Sequence, residues 1–299
     1  MADFQRELIT HPDFYIATWT KNKDSDYLVF IHGGPGFNCG TIEYLIEHEN
    51  LFQSLNYNLV VYDQRNCGKS QNSSNEITHT NNVHDLDVIY RQLTENNNLN
   101  INGFIGHSYG AKLLFDYYKQ YGSSLPGIFV STANSIITPR LNNLTLDLAY
   151  LKKTNPIYYQ GIITQMDKLD LKTIWELTEK LEPYFLENTD RPYFYWANLT
   201  WREKVQNVQN CINLPANKNV LLSVRRELYA NETNYNVDIH NLGIPHLWIN
   251  GFHDYIMNGS EGVVANPQRA VPFYKSSHFP HIEENERFCE LVNEFIEHC

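Results

Sequence analysis

Gly106-His107-Ser108-Tyr109-Gly110 sets a serine hydroxyl between two glycines, directly after the apolar run ending in Phe104-Ile105 and before Ala111-Lys112-Leu113-Leu114-Phe115. A strand running into a glycine-flanked serine and then a helix is the context of a nucleophile elbow, where a sharp turn lifts the hydroxyl clear of a sheet. The chemistry this predicts is acyl transfer by attack of the Ser108 Oγ on a carbonyl carbon. A serine hydroxyl is a weak nucleophile near neutral pH. It needs a base, and the base needs an acid to fix its tautomer and stabilise its protonated form.

In an elbow fold the order is serine, acid, histidine, with the last two in loops after later strands. Asp254 lies just past the apolar segment Ile244 to Asn250, and His278 lies between the segment Ala270 to Tyr274 and a terminal amphipathic helix. Ser108, Asp254 and His278 are therefore the candidate triad. His281, three residues on, is a rival base that spacing from the strand does not exclude; His253 shares the acid's loop and is a weaker rival. His107 belongs to the elbow and is expected to pack or orient beneath the turn. The tetrahedral oxyanion needs two preorganised donors. One is the backbone N–H of Tyr109; the other is sought in His32-Gly33-Gly34-Pro35-Gly36. Pro35 has no N–H, which leaves Gly33, Gly34 or Gly36, with Gly34 favoured. Neither Gly-x-x-x-x-Gly-Lys-Ser/Thr nor Gly-x-Gly-x-x-Gly occurs in that loop, which argues against a nucleotide or dinucleotide site.

The elements that must position these groups alternate along the chain. Tyr27 to Ile31, Leu59 to Asp63, Phe104-Ile105 and Gly127 to Ser131 read as strands, and Thr41 to Leu55, Val83 to Leu93 and Ser108 to Tyr121 as helices. This predicts an α/β fold, a mostly parallel sheet with helices on both faces. From about Asn134 the strand pattern fades. Residues 134–219 are expected to form an inserted, mainly helical cap, with 1–133 and 220–299 as the catalytic domain. The sheet is expected to resume at Val220-Leu221-Leu222 or, more securely, at 244–250. Residues 270–274 would be the last strand and 284–297 the last helix, with Phe288, Leu291, Val292, Phe295 and Ile296 facing the core.

The chain has 299 residues, enough for a large domain with an insertion. Its 23 basic against 34 acidic residues give a net charge of −11, which argues against nucleic acid and against a polybasic membrane anchor. The five cysteines are scattered, and no uninterrupted apolar run reaches membrane-spanning length. A soluble, cytoplasmic protein is expected. The histidines lack the His-Glu-x-x-His arrangement, and the chemistry above calls for neither metal nor cofactor. Glu283 and Glu284 read as helix-start charges or loop anchors.

These motifs carry a family resemblance. His32-Gly33-Gly34-Pro35-Gly36, Asp63-Gln64-Arg65-Asn66-Cys67-Gly68-Lys69-Ser70, the Ser108 pentapeptide, Gly251-x-x-Asp254 and Ser277-His278-Phe279-Pro280-x-Ile282-Glu283-Glu284 resemble, in order, the proline iminopeptidase group of α/β-hydrolases. The resemblance implies that His278, at the head of the His-x-x-x-x-Glu block, is the base and that His281 is a wall or supporting residue. It implies an aminopeptidase releasing an N-terminal proline or small apolar residue from short peptides, with cap acids holding the free α-amine. Glu176, Glu179, Glu182, Glu187 and Glu203 are the available acids, and Glu203 is the choice among them. Tyr193-Phe194-Tyr195-Trp196 offers a flat aromatic substrate wall or, equally, packing between cap and catalytic domain. This chain departs from the family pattern with Tyr109 where tryptophan is common, Asn66 for a frequent glycine, and Tyr255 where some relatives place an amine-binding glutamate. The alternative is an esterase, lactonase or small-amide hydrolase that uses the same triad without recognising a free amine.

Overall fold

The computed structural model describes residues 3–70, 76–133, 137–164, 166, 171–186, 195–230, 241–258 and 270–299. Eight strands form one sheet: β1 (Gln5–Ile9), β2 (Ile16–Thr20), β3 (Tyr27–Ile31), β4 (Asn58–Tyr62), β5 (Ile101–His107), β6 (Gly127–Val130), β7 (His246–Gly251) and β8 (Val271–Phe273), in the order β1-β2-β4-β3-β5-β6-β7-β8. From β4 to β8 every pairing is parallel, while β1 and β2 add an antiparallel edge. The expected mostly parallel sheet is therefore present. The antiparallel edge was not anticipated, because β1 is exposed and carries little apolar periodicity.

Parallel strands buried on both faces read as continuous apolar runs, and their alternation splits them between two cores. Val29, Ile31, Val60 and Tyr62 face one apolar cluster with the helices α2 (His79–Arg91) and α3 (Tyr109–Tyr121). Leu28, Phe30, Leu59 and Val61 face the other, with α1 (Gly40–Glu49) and the terminal helix α11 (Asn285–Glu297). In α11, Phe288, Val292 and Ile296 are buried as expected, whereas Leu291 and Phe295 are only partly so.

Between β6 and β7 the regular elements among the described residues are helices: α4 (Ile137–Thr154), α5 (Pro156–Ile163), α6 (Leu171–Leu186), α7 (Leu199–Ile212) and α8 (Lys218–Ala230). Leu144, Leu151, Ile162, Ile174, Leu177 and Leu181 give α4, α5 and α6 an apolar cluster of their own. Val220-Leu221-Leu222 is helix, not strand. Val220, Val224 and Leu228 recur at four-residue spacing on one buried face of α8, and three adjacent apolar residues do not by themselves distinguish a strand from part of such a helix. The sheet resumes only at His246. Short helices α9 (Tyr255–Asn258) and α10 (Pro280–Glu283) follow β7 and precede α11.

Candidate active site

The strand order places β3 and β5 side by side, with Ile31 opposite Gly106. Their carboxyl ends, where open parallel sheets bind ligands, carry the first glycine-rich loop and Ser108. Ser108 has φ 54° and ψ −117°, a strained backbone for a residue with a Cβ. The turn is held by Ser108 N–H donating to Val130 O at 2.8 Å and by Ala111 N–H donating to Ser108 O at 3.0 Å. Ser108 occupies the N-cap of α3 without using its side chain as a cap, so the hydroxyl is not spent on the helix. Gly110 is required by close approach: a Cβ there would stand 2.2 Å from Ile31 O.

Asp254 and His278 come together from two loops. His278 Nδ1–H donates to Asp254 Oδ2 at 2.8 Å, with Asp254 fully buried. Asp254 Oδ1 accepts from Met257 N–H at 3.2 Å. The loops are zipped by His253 N–H to Ser276 O at 3.0 Å and Ser277 Oγ to His253 O at 3.0 Å. Gly251 permits this, since a Cβ there would lie 1.8 Å from Ser277 O. With Nδ1 committed to the carboxylate, Nε2 of His278 is left as the basic nitrogen.

The other histidines have different surroundings. His281 is buried with its ring against Phe30, Phe52, Phe288 and His107. Burial, reinforced by His278, pushes its pKa down to about 3. It is a core residue. His107 sits under the elbow; its Nε2–H donates to His278 O at 2.9 Å, and burial together with His281 and His278 holds it well below the usual histidine range. His253 stacks edgewise against Phe252 at 5.3 Å.

Gly33 abuts the elbow. A Cβ on it would be 3.1 Å from Ser108 Cβ, whereas one on Gly36 would meet Asn217 O at 2.5 Å. Gly36 therefore faces the segment before α8, Gly33 faces the serine, and Gly34 closes on the backbone of Gly36 and Phe37. The loop is fixed from behind: Gln64 N–H donates to His32 Nε2 at 3.1 Å, and Gln64 Nε2 to His32 O at 2.7 Å. The Asp63-to-Ser70 block is scaffold. Asp63 accepts from the N–H groups of Cys39 and Lys69, each at 2.7 Å, and Arg65 forms a buried ion pair with Asp85.

Tyr195 and Trp196 have different surroundings. Tyr195 lies edge-on to the His278 ring at 5.4 Å and its carbonyl accepts from His278 N–H at 3.1 Å. Trp196 stacks on Phe279 at 4.3 Å and is buried in the core, which is packing and not a substrate wall. Tyr193 and Phe194 lie outside the described residues. Glu203 is exposed on α7, and Glu176 and Glu179 are exposed on α6. That suits solvated helix faces, not partners for a buried ammonium. Glu187 and the side chain of Glu182 lie outside the described residues. Tyr255 follows Asp254 at the start of α9 and is 41% exposed.

Sequence reasoning foresaw Glu283 as an anchor but not what it holds. Its carboxylate accepts from the N–H groups of Ala197 (2.8 Å), Asn198 (2.7 Å) and Ser277 (2.8 Å), joining the segment before α7 to the His278 loop. Desolvation raises its pKa to about 7 against those donors. No pattern in the sequence marks these partners, because backbone N–H groups carry no residue signature.

The chain matches the family described as alpha/beta hydrolase fold over residues 26–285. It is 24% identical to a proline iminopeptidase of Saccharolobus solfataricus over 288 residues, covering 90% of this chain and 84% of that one. Among solved structures it resembles a proline iminopeptidase-related protein of Thermus thermophilus, with TM-score 0.67, 14% identity and coverage of 98% and 97%. It also resembles an esterase of Exiguobacterium antarcticum, with TM-score 0.61, 17% identity and coverage of 99% and 100%. Among the described residues, no helix is long and apolar enough to cross a membrane.

Proposed function

The chain belongs to the alpha/beta hydrolase fold family, and from that premise we propose that it is a serine hydrolase of small esters and amides. In this reading Ser108 is the nucleophile, His278 the base and Asp254 its orienting acid. The observation that carries it is the His278–Asp254 hydrogen bond of 2.8 Å, made by a buried carboxylate, in a fold that presents Ser108 on a strained turn with a hydroxyl that does not cap the helix after it. Ser108 Oγ attacks the substrate carbonyl while His278 Nε2 takes its proton. Asp254 stabilises the resulting imidazolium, and the N–H groups of Tyr109 and Gly34 receive the oxyanion. The tetrahedral adduct collapses to the acyl-enzyme as His278 protonates the leaving alcohol or amine. Water, deprotonated by His278, then releases the acid and restores Ser108.

The exposed positions of Glu176, Glu179 and Glu203 favour a substrate without a free α-amine, in keeping with the esterase names among the similar structures. A second reading, release of an N-terminal proline or small apolar residue, is favoured by the ordered motif blocks and by the iminopeptidase relative. A panel of short aryl esters, proline and alanine aryl amides and their N-acylated forms separates the two. The ester reading expects ester turnover and amide turnover that survives N-acylation. Cleavage confined to amides with a free amine would replace it with the peptidase. In both readings residues 134–219 serve as a cap over the site.

A further inference from the structure

Tyr109, whose N–H is the proposed oxyanion donor, is buried among polar side chains that the chemistry above leaves unused. Asn82 Nδ2 donates to Tyr109 Oη at 2.9 Å. The phenolic hydrogen is then directed to His79 Nδ1 at 3.0 Å, and His79 Nε2–H donates onward to Asp116 Oδ2 at 2.6 Å. Lys112, one turn before Asp116 on α3, donates to the same oxygen at 2.5 Å. Burial works against the Asp116 carboxylate, but the His79 hydrogen bond and Lys112 hold its pKa below the ordinary value. A buried polar chain whose hydrogen-bond directions agree from end to end fixes one arrangement of its members.

Both ends of α8 bear on this arrangement. Near its C-terminus, the Glu227 carboxylate accepts from the backbone N–H of His79, from Thr80 N–H at 3.2 Å and from Thr80 Oγ1 at 2.6 Å. An anion is thereby placed on the first turn of α2, where the helix dipole favours it. Just before the N-terminus of α8, Asn217 N–H donates to Gly36 O at 2.7 Å and its Nδ2 donates to Asn66 O at 2.8 Å. Asn217 Oδ1 caps α8 by accepting from Asn219 N–H at 3.0 Å. Between these ends, Val220, Val224 and Leu228 pack in the same core cluster as Tyr109.

We propose that α8 braces the oxyanion site, fixing the spacing of its two donors. It holds the Gly34 loop through Asn217, and the Tyr109 N–H through Glu227, His79 and the Tyr109 hydroxyl. Asn217, Glu227 and His79 are positioning residues; none touches the reacting atoms. The inference rests on Ser108 being the nucleophile, and its physical basis is that donors stabilise a developing oxyanion only when they are held in place before the reaction.

The test uses the full chain and Tyr109→Phe, His79→Gln and Asn217→Ala variants. Tyr109→Phe removes only the hydroxyl and keeps the packing volume. Three readouts are compared: the rate of inactivation by a fluorophosphonate, whose phosphonyl oxygen develops charge in the oxyanion site; the affinity for a phenylboronic acid; and the thermal midpoint. Each variant is expected to lose about tenfold or more in inactivation rate, with boronate affinity falling in parallel. Tyr109→Phe and His79→Gln combined should lose no more than the worse of the two, because they interrupt one chain. Tyr109→Phe and Asn217→Ala should multiply, because they act on different donors. Folded variants with wild-type inactivation and boronate binding, or with a lower thermal midpoint as their sole defect, would overturn the brace. Wild-type protein that resists the fluorophosphonate, or a Ser108→Ala variant that still reacts at the same site, would overturn the underlying reading of Ser108 instead.

Discussion

His107 Nε2–H donates to the backbone carbonyl of His278 at 2.9 Å. The residue preceding the candidate nucleophile thus holds the backbone of the candidate base, and its ring also packs against Phe279 at 5.1 Å. Burial keeps His107 neutral, so it makes this bond without adding a charge beside His278.

His107→Phe keeps an aromatic ring but loses that donor. The expected result is a fall in kcat of about tenfold with KM little changed, since a base displaced by a fraction of an ångström still binds substrate but transfers protons poorly. Steady-state kinetics beside a thermal melt checks it. A variant with unchanged kcat would show that the bond only stabilises the fold.

Ser108→Ala and His278→Ala are each expected to lower kcat by about 10⁴-fold or more while leaving the circular dichroism spectrum and thermal midpoint near those of the wild type. Combining them should cost little beyond the larger single effect, because the two groups act as one unit. Multiplying losses would separate their roles.

His281 is buried with a pKa near 3, below its unfolded value of 6.5. The folded state therefore binds fewer protons than the unfolded state between those values. Its contribution is fully present above pH 6.5 and is lost as pH falls toward 3, with a slope of up to about 1.4 kcal/mol per pH unit. Urea melts of His281→Leu between pH 4 and 7 should show a flatter pH dependence than the wild type, whatever the variant's absolute stability. Identical slopes would rule this out.

Glu283 titrates in the opposite sense. Burial raises its folded pKa to about 7 from 4.5, so the stability linked to its proton is present below pH 4.5 and is lost as pH rises through 7. The thermal midpoint of the wild type minus that of Glu283→Gln should therefore decline between pH 5 and pH 8. Glu283→Gln should also loosen the bridge that Glu283 makes between the Ser277 and Asn198 N–H groups, seen as faster amide exchange at both. A difference that rises with pH would contradict the raised pKa, and unchanged exchange would contradict the clamp.

The amino-acid sequence by itself determined the order of the candidate catalytic residues. The Ser108 elbow, the acid after one late strand and the histidine after the next are local patterns, because each is a strand end followed by a loop. The two-faced apolar strands β3, β4 and β5 were legible for the same reason, since each is a short buried run. Val220-Leu221-Leu222 was not legible as helix; the buried face of α8 becomes apparent only with Val224 and Leu228. Strand spacing left His278 and His281 open and the motif resemblance implied His278; the tertiary structure pairs His278 with Asp254. His278 and His281 are three residues apart, and the choice depends on Gly251 letting the 276–277 backbone close against the acid's loop. It also turned Trp196 into core and Glu203 into surface. His79 and Asn82 reach the Tyr109 hydroxyl, and Asn217 reaches the Gly36 loop, from distant parts of the chain through hydrogen bonds that leave no periodicity or spacing in the sequence to be read.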